Sequence, residues 1–453
     1  MHDRAVPVRP LLASPSPVET IYSADWLLPI EGEPIENGAV AFENGRITRV
    51  GTSAELGAGR SFPGAAILPG FVNAHAHLEY ASYTGFGDGL DFGGWIALHL
   101  QRKLALSFEE IVSLARLGAA ECLASGITTV ADSSYSAASP HACADLGLKA
   151  IVGLEVFGAD PERALDHFEQ LRAVAQPALS AKVRLGISPH APYTVSPEVY
   201  AAARGLGLPV LTHLAESDAE RSWLTRGEGP LVAMGRQLLP PTGETGIRTL
   251  ARAQAIGTGT VAAHCVDLEP EEIELLASLD VAVAHCPRSN GYLGCGIAPL
   301  TSLLAAGVRV GIGTDSPASA PSFDMFEELR STIIFARARE RNSQVLTAAR
   351  ALELATLGSA RALGIANEVG SLLPGKRADI AIVALDETSL LPWEDAQTAV
   401  VLGGSPERVV LTVVDGETKY EKGEFEWDVL RSASAAARRR MLAGGSSATR
   451  AER

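Results

Sequence analysis

The 453-residue sequence predicts an α/β fold: a (β/α)8 barrel over residues 67–366, with a small β-sandwich built from residues 1–66 and 367–430. Two observations predict the barrel. Between about Leu68 and Ala366, eight short apolar runs alternate with amphipathic stretches. Continuous apolar runs bounded by turn residues suit parallel strands buried on both faces. Several of the stretches between them carry helix-start signals, as crossover helices would. A third observation predicts the appendage. Turn-rich, β-like segments lie at both ends of the chain, where they can pair into one unit.

In chain order, residues 1–17 are rich in Pro and Ser and read as a loose arm. The stretch IENGAVAFENGRITRVG (35–51) contains Asn-Gly twice between alternating segments, a hairpin signal. The eight barrel runs follow: ILPGFVNAH (67–75), ITTVADSS (127–134), KAIVGLEVFG (149–158), VRLGISPHAP (183–192), LPVLTHLAE (208–216), GTVAAHCV (259–266), VAVAHCP (281–287) and VRVGIGTDS (308–316). Ser107 with Glu110 forms a capping box ahead of a helix that stops at Gly126. Ser196-Pro197 supplies a cap residue and then proline at the first helical position. A doubly wound sheet is the alternative, but no GxGxxG follows the first run. ADIAIVAL (378–385) and ERVVLTVVDGETKYEKGEF (407–425) resume the β pattern, with VVDGETKY as a hairpin. Residues 431–453 hold mainly Ala, Arg, Gly and Ser and read as a frayed, flexible tail.

Composition narrows the function. Hydrophobic residues make up 47% and charged residues 20%, enough for a large core and too apolar for global disorder. A net charge of −15 argues against a nucleic-acid or anionic-membrane surface, which needs clustered Lys and Arg. No apolar run approaches 18 residues, so no spanning helix is expected. The N-terminal MHDRAVPVRPLLASPSP has no apolar segment, so secretion is not expected. Five scattered cysteines without a CxxC pair suit a reducing, cytoplasmic compartment rather than a disulfide framework.

The chemistry lies at the strand ends. Six of ten histidines, His75, His77, His190, His213, His264 and His285, fall at or just after the end of a predicted strand, and Asp315 ends the eighth. In a barrel those ends converge on one mouth. His75 and His77 form HxH, which on a strand puts both imidazoles on one face. Three imidazoles and one carboxylate leave a divalent ion with an open position for water, whose pKa the ion lowers toward 7. Asp315 can take the water's proton. Glu216, three residues past His213, can move a proton to a leaving nitrogen. His264 can either complete the coordination or polarise the group under attack.

PGFVNAHAHLE (69–79), SPHAPYTVS (188–196), THLAES (212–217), AHCVDL (263–268), AHCPRSN (284–290) and GIGTDSPAS (311–319) together resemble the amidohydrolase superfamily. The subgroup is that of cytosine, guanine and S-adenosylhomocysteine deaminases and triazine hydrolases, and the resemblance covers roughly residues 20–425. It implies a TIM-like barrel flanked by a split β-sandwich, and metal ligands at His75, His77, His213 and Asp315. It implies a catalytic pair of Glu216 and His264, which Asp315 joins as the acceptor of the water's proton. The fourth strand reads SPHAPY, without the carboxylated Lys of binuclear members, so one divalent ion is implied. Zinc is the expected ion, with Fe, Mn or Ni as alternatives according to supply.

For substrate, HLEY followed by a Trp-Ile segment resembles the aminodeoxyfutalosine deaminases of the alternative menaquinone pathway. On that reading Glu79 binds ribose hydroxyls, His190 bonds a purine nitrogen and Trp95 stacks on the base. Tyr80 and Tyr193 are further stacking candidates. Arg288 and Asn290 are expected to stabilise the loop after the seventh strand, and His285 to be a buried structural histidine. The expected partner is a small molecule, with neither nucleic acid nor membrane, and a homodimer is the family-level expectation. Deaminases of S-adenosylhomocysteine, methylthioadenosine, guanine or cytosine are alternatives, as is a chlorohydrolase or cyclic amidohydrolase on the same scaffold. A catalytically inactive binding scaffold is the alternative of a different class.

Overall fold

The computed structural model describes residues 19–57, 59–386 and 393–448; the proposed N-terminal arm lies outside them. Eight parallel strands form the barrel sheet in strict sequence order: β1 Phe71–Ala76, β2 Ile127–Ser134, β3 Lys149–Val156, β4 Val183–Pro189, β5 Val210–Leu214, β6 Thr260–His264, β7 Ala282–His285 and β8 Val310–Ile312. Almost every strand residue is buried, as expected of strands covered by side chains inside and helices outside. Just past β8 the sheet closes on β1. Asp315 N donates to the His75 carbonyl at 3.0 Å, and His77 N to the Asp315 carbonyl at 3.3 Å. Asn73 Nδ2 and Thr314 Oγ1 add a bond of 2.7 Å below that seam.

Both helix-start signals hold. Helix Phe108–Ala124 begins at the Ser107/Glu110 capping box, and helix Pro197–Gly205 is capped by Ser196.

The expected sandwich is one hydrogen-bonded sheet drawn from both chain ends. Its order is Glu417–Glu421, Val409–Val414, Ile380–Ala384, Arg60–Pro69, Thr20–Leu27, Gly38–Glu43, Arg46–Thr52. The two ends meet where Ile380–Ala384 pairs antiparallel with Arg60–Pro69. A core that includes Tyr22, Val40, Phe62, Ile380, Ile382 and Leu411 lies against this sheet. Two turns were legible: Asn44-Gly45 and Asp415-Gly416 both take positive φ, as a two-residue hairpin of matching twist requires. Asn37-Gly38 is different. Asn37, at φ 50°, interrupts one edge that pairs with Thr20–Leu27 on either side of it, so it marks a bulge rather than a hairpin.

Two boundaries are corrected. Ile67–Pro69, read as the start of the first barrel strand, belongs to the outer sheet. The chain changes sheets at Gly70, where a Cβ would lie 2.1 Å from the Thr128 side chain. The described part of the tail read as frayed belongs to a helix, Trp427–Ala448, and residues 449–453 lie outside the described residues. Ser434, Ala437 and Met441, at spacings of three and four, are buried on one face. Ala437 and Met441 pack with Tyr83, Phe86 and Leu114. Arg438 donates to the Ser82 and Thr84 carbonyls, and Arg440 pairs with Glu110 at 2.7 Å.

The outer sheet is tied to the barrel floor by charge. Lys149 of β3 sits 2.8 Å from Asp379 and 2.6 Å from Asp415, all three groups buried or nearly so. Among the described residues no helix is long and apolar enough to cross a membrane.

Candidate metal centre and active site

The strand ends bring His75, His77, His213, His264 and Asp315 together at the barrel mouth. His264 and Asp315 stand at φ 74° and 54°, and Ala215, beside Glu216, at 52°. Non-glycine residues rarely adopt this region, and the strain persists only where surroundings over-determine it. Here the surroundings are explicit. Cys265 N donates to the Leu214 carbonyl at 3.1 Å, and Val266 N to Ala215 at 2.8 Å. Glu220 accepts from Ala215 N and Glu216 N, both at 3.0 Å, clamping the loop that carries Glu216.

The protonation pattern of the imidazoles is fixed by their partners. Burial, then mutual proximity, pushes His75 well below its ordinary value. Burial lowers His77 to about 3, against the attraction of Asp315. His213 and His264 are likewise lowered by burial. A neutral imidazole has one N–H. His77 donates it from Nδ1 to the Ser133 carbonyl at 2.9 Å, His213 from Nδ1 to the His190 carbonyl at 2.8 Å, and His264 from Nδ1 to Asn290 Oδ1 at 2.9 Å.

Each of those three Nε2 atoms therefore carries an inward lone pair. His77 Nε2 and His213 Nε2 face one another at 3.0 Å, where two lone pairs repel. His75 Nε2 and His264 Nε2 are buried without a hydrogen-bond partner. Asp315 Oδ2 accepts from Ser289 at 2.6 Å and Ser319 at 2.8 Å. That leaves Oδ1 free to face His77 Nε2 at 3.7 Å and His75 Nε2 at 3.9 Å. A tetrahedral ion with bonds of about 2.0–2.1 Å separates its ligands by about 3.3 Å. The donor set fits one divalent ion, and the trios His75–His213–His264 and His75–His77–Asp315 each gather closely enough to hold it.

The acid groups divide by environment. Burial raises the Glu216 carboxyl to about 8, with His213 opposing and Asp315 adding to the shift. Glu216 Oε1 lies 3.7 Å from His264 Nε2. Burial also works to raise Asp315, but His77, His264 and the Ser289 hydroxyl hold it below its ordinary value. One carboxyl is thus kept as an acid and the other as a carboxylate, within one site.

Above this floor opens a cavity of about 540 Å³, within the usual range for a small-molecule site. His190, Trp95, Tyr80 and Tyr193 line it as expected. His190 Nδ1 is engaged with Thr194 Oγ1 at 2.8 Å, and the Trp95 indole donates to the Ala318 carbonyl at 3.2 Å. Glu79 does not line it. Its carboxylate accepts from Ser134 Oγ, from Ser136 Oγ at 2.9 Å, and from Tyr135 N and Ala138 N at 3.1 Å each. With four donors from the last residue of β2 and the loop after it, the carboxylate is spent on fixing that loop and is not offered to a ribose. Arg288 bonds the Asp324 carbonyl at 3.2 Å and pairs with Glu328 at 3.4 Å, while Asn290 orients His264. His285 is buried, its ring lowered to about 4 by burial, and stays out of the cavity.

Several cavity residues were missed, among them the charged Glu155, Lys103 and Arg236. Glu155 is the penultimate residue of β3, and burial raises it to about 7. It is the one charged residue in GLEVF and lies where a strand ends, the same signal that marks the histidines. Lys103 closes helix Phe92–Lys103, whose Phe92, Trp95, Ile96, His99, Leu100 and Lys103 all face the cavity. That 3–4 spacing is the signal that could have found it.

The chain belongs to the amidohydrolase family, whose model matches residues 66–419. A 5-methylthioadenosine/S-adenosylhomocysteine deaminase of Moorella thermoacetica is 32% identical over 414 residues, 88% of this chain and 94% of that one. A 5'-deoxyadenosine deaminase of Methanothermobacter thermautotrophicus is 30% identical over 86% of this chain and 91% of that one. Among solved structures, an adenosine deaminase from Xanthomonas campestris with bound zinc has a TM-score of 0.82 at 28% identity, covering 94% of this chain and 98% of that one. A zinc-complexed atrazine chlorohydrolase from Arthrobacter aurescens, 23% identical over 92% and 99% of the two chains, shares the fold at a TM-score of 0.79.

Proposed function

We propose that this protein is a metal-dependent hydrolytic deaminase of adenine nucleosides modified at the 5' position. The observation that carries the reading is the cavity floor, where inward imidazole lone pairs meet an acid (Glu216), a base (Asp315) and an oriented imidazole (His264). Relatives named as deaminases of methylthioadenosine, S-adenosylhomocysteine and 5'-deoxyadenosine support the substrate class.

His75, His77 and His213, with Asp315, would hold one divalent ion, zinc by preference. Such an ion supplies Lewis acidity and brings the pKa of water into the neutral range. Asp315, held as a carboxylate, takes a proton from the attacking water. His264, fixed by Asn290, orients toward the ring carbon that bears the amine. Glu216, held as an acid, delivers a proton to the adjacent ring nitrogen. Water adds at that carbon, the carbon–amine bond breaks, and ammonia leaves behind a ring carbonyl.

The finer substrate reading is 6-amino-6-deoxyfutalosine. The Trp95-Ile96 segment that suggested it lines the cavity, whereas Glu79 does not. The test is ammonia release from a panel of aminodeoxyfutalosine, S-adenosylhomocysteine, methylthioadenosine, 5'-deoxyadenosine, adenosine, guanine and cytosine. Turnover of a 5'-modified adenine nucleoside at least about tenfold above the free bases is expected. Preference for a free base, or chloride release from a chlorotriazine without ammonia from any nucleoside, would overturn the reading.

A further inference from the structure

Glu216 and His264 sit on different strand ends, with Glu216 Oε1 3.7 Å from His264 Nε2. One turn of the helix Asp218–Arg226 holds both loops. Glu220, buried, commits both carboxylate oxygens to the loop after β5: Oε1 accepts from Ala215 N and Oε2 from Glu216 N, both at 3.0 Å. Its neighbour Arg221 grips the loop after β6. Arg221 meets Asp267 Oδ2 at 2.6 Å and donates to the Asp267 carbonyl at 2.7 Å. The two loops are also laced together, because the Ala215 carbonyl accepts from Val266 N at 2.8 Å and from Asp267 N at 3.0 Å. Ala215, His264 and Cys265 all stand at positive φ, so neither loop would keep this shape by local preference.

The ordinary explanation for Glu220 is helix capping. Ser217 is the cap residue, its hydroxyl accepting from Glu220 N at 3.3 Å, and Ser217 with Glu220 has the spacing of a capping box. A box glutamate returns to the backbone N–H of its own cap residue. Glu110 does so on Ser107 N at 2.9 Å, Glu55 on Thr52 N at 2.9 Å and Glu272 on Glu269 N at 2.8 Å. Glu220 instead reaches past Ser217 to the two N–H groups before it, one of them that of Glu216 itself. Burial pushes its carboxyl up to about 8, with both N–H donors opposing. Both oxygens accept in these bonds, so the geometry is that of the carboxylate.

We propose that Glu220 is a positioning residue for proton transfer, one that sets the place of Glu216 against His264. It does not line the cavity, so it acts through Glu216 rather than on the substrate. This rests on the deaminase reading above.

The probe is methylthioadenosine, turned over by the ion-loaded protein. Glu220→Gln keeps the shape but sets an amide N–H against one of the two backbone N–H groups. It should keep fold and ion, lose about 10–100-fold in kcat, the scale of a misplaced catalytic group, and change KM less than about threefold. In a Glu216→Gln background the same substitution should cost less than about threefold more, because the group it places is gone. Ser217→Ala, which removes the cap and spares the clamp, should lower the melting temperature and leave kcat within about threefold. An unchanged kcat in Glu220→Gln, the same factor lost in both backgrounds, or an equal loss in Ser217→Ala would overturn the assignment. Where Glu220→Gln does not fold, Glu220→Asp carries the test: it keeps the charge but is a methylene too short to take both N–H groups, and full kcat there would overturn the proposal. Amide hydrogen exchange separates the two readings. If wild type releases no ammonia from any nucleoside of the panel, while Glu220→Gln speeds exchange at Ala215 and Glu216 alone, the clamp stands and the deaminase reading falls. If ammonia is released and Glu220→Gln leaves kcat and exchange unchanged, the reverse holds.

Discussion

Replacing Glu155 by Gln should stabilise the metal-free protein near pH 8 and leave it almost unchanged near pH 4.5. Burial raises the Glu155 carboxyl from 4.5 to about 7, with Lys103 opposing and Glu79 adding to the shift. The folded value lies above the unfolded one, so the fold favours the protonated form. The contribution to stability is then complete below 4.5, is lost as pH rises toward 7, and stays lost above it. At about 1.4 kcal/mol for each tenfold, the step from 4.5 to about 7 corresponds to about 3 kcal/mol. Glutamine keeps the shape and removes the ionisation. Urea unfolding of chelator-treated wild type and Glu155→Gln, followed by tryptophan fluorescence at the two pH values, measures the gap. A gap of the same size at both values, or a wild type more stable than the variant near pH 8, would refute the reasoning. The outcome matters for function, because a carboxylate carried at such a cost in the cavity wall is a group kept for what the cavity binds.

Purified protein should hold about one divalent ion per chain, and the His75→Ala, His77→Ala double variant should lose both ion and activity; metal analysis giving two tightly bound ions would reject the single-ion site. Glu216→Gln should keep ion and fold but lose about 10²–10⁴-fold in turnover, and a loss below tenfold would remove Glu216 from proton transfer. Lys149→Met should destabilise by about 3–5 kcal/mol by leaving Asp379 and Asp415 buried together, read by denaturant melts, with ammonia release at 25 °C largely retained. Deleting residues 432–453 should lower the melting temperature and promote aggregation by uncovering Tyr83, Phe86 and Leu114; an unchanged melt would show the terminal helix to be dispensable.

The barrel was legible because its strands are apolar on both faces, and each of the eight predicted runs overlaps an observed strand. The floor was legible because period two on a strand and convergence at a barrel mouth are geometric consequences of residue order, as for His75 with His77. The failures have equally physical reasons. Ile67–Pro69 continues the apolar run of β1, and apolarity does not say which sheet a run joins; only the close approach at Gly70 marks the change. The terminal helix buries serine, alanine and methionine, so its stripe carries almost no hydrophobic signal. Glu79 stands beside the HxH motif in sequence, but the donors that claim it come from the loop after β2, more than fifty residues on. Lys103 was hidden because a lysine in a last helical turn already has a sufficient local reason to be there.

The joining of the outer sheet through Arg60–Pro69 and Ile380–Ala384 sets a timetable for the newborn chain. The first strands emerge with one backbone edge whose partner lies some three hundred residues ahead, and at about 5–20 residues per second the ribosome takes roughly 15–60 s to supply it. Through that interval the growing polypeptide presents a β edge next to apolar barrel strands that are themselves still accumulating. Ribosome-associated chaperones that shield strand edges should therefore govern the yield of this protein, and slower decoding ahead of residue 380 should lower it.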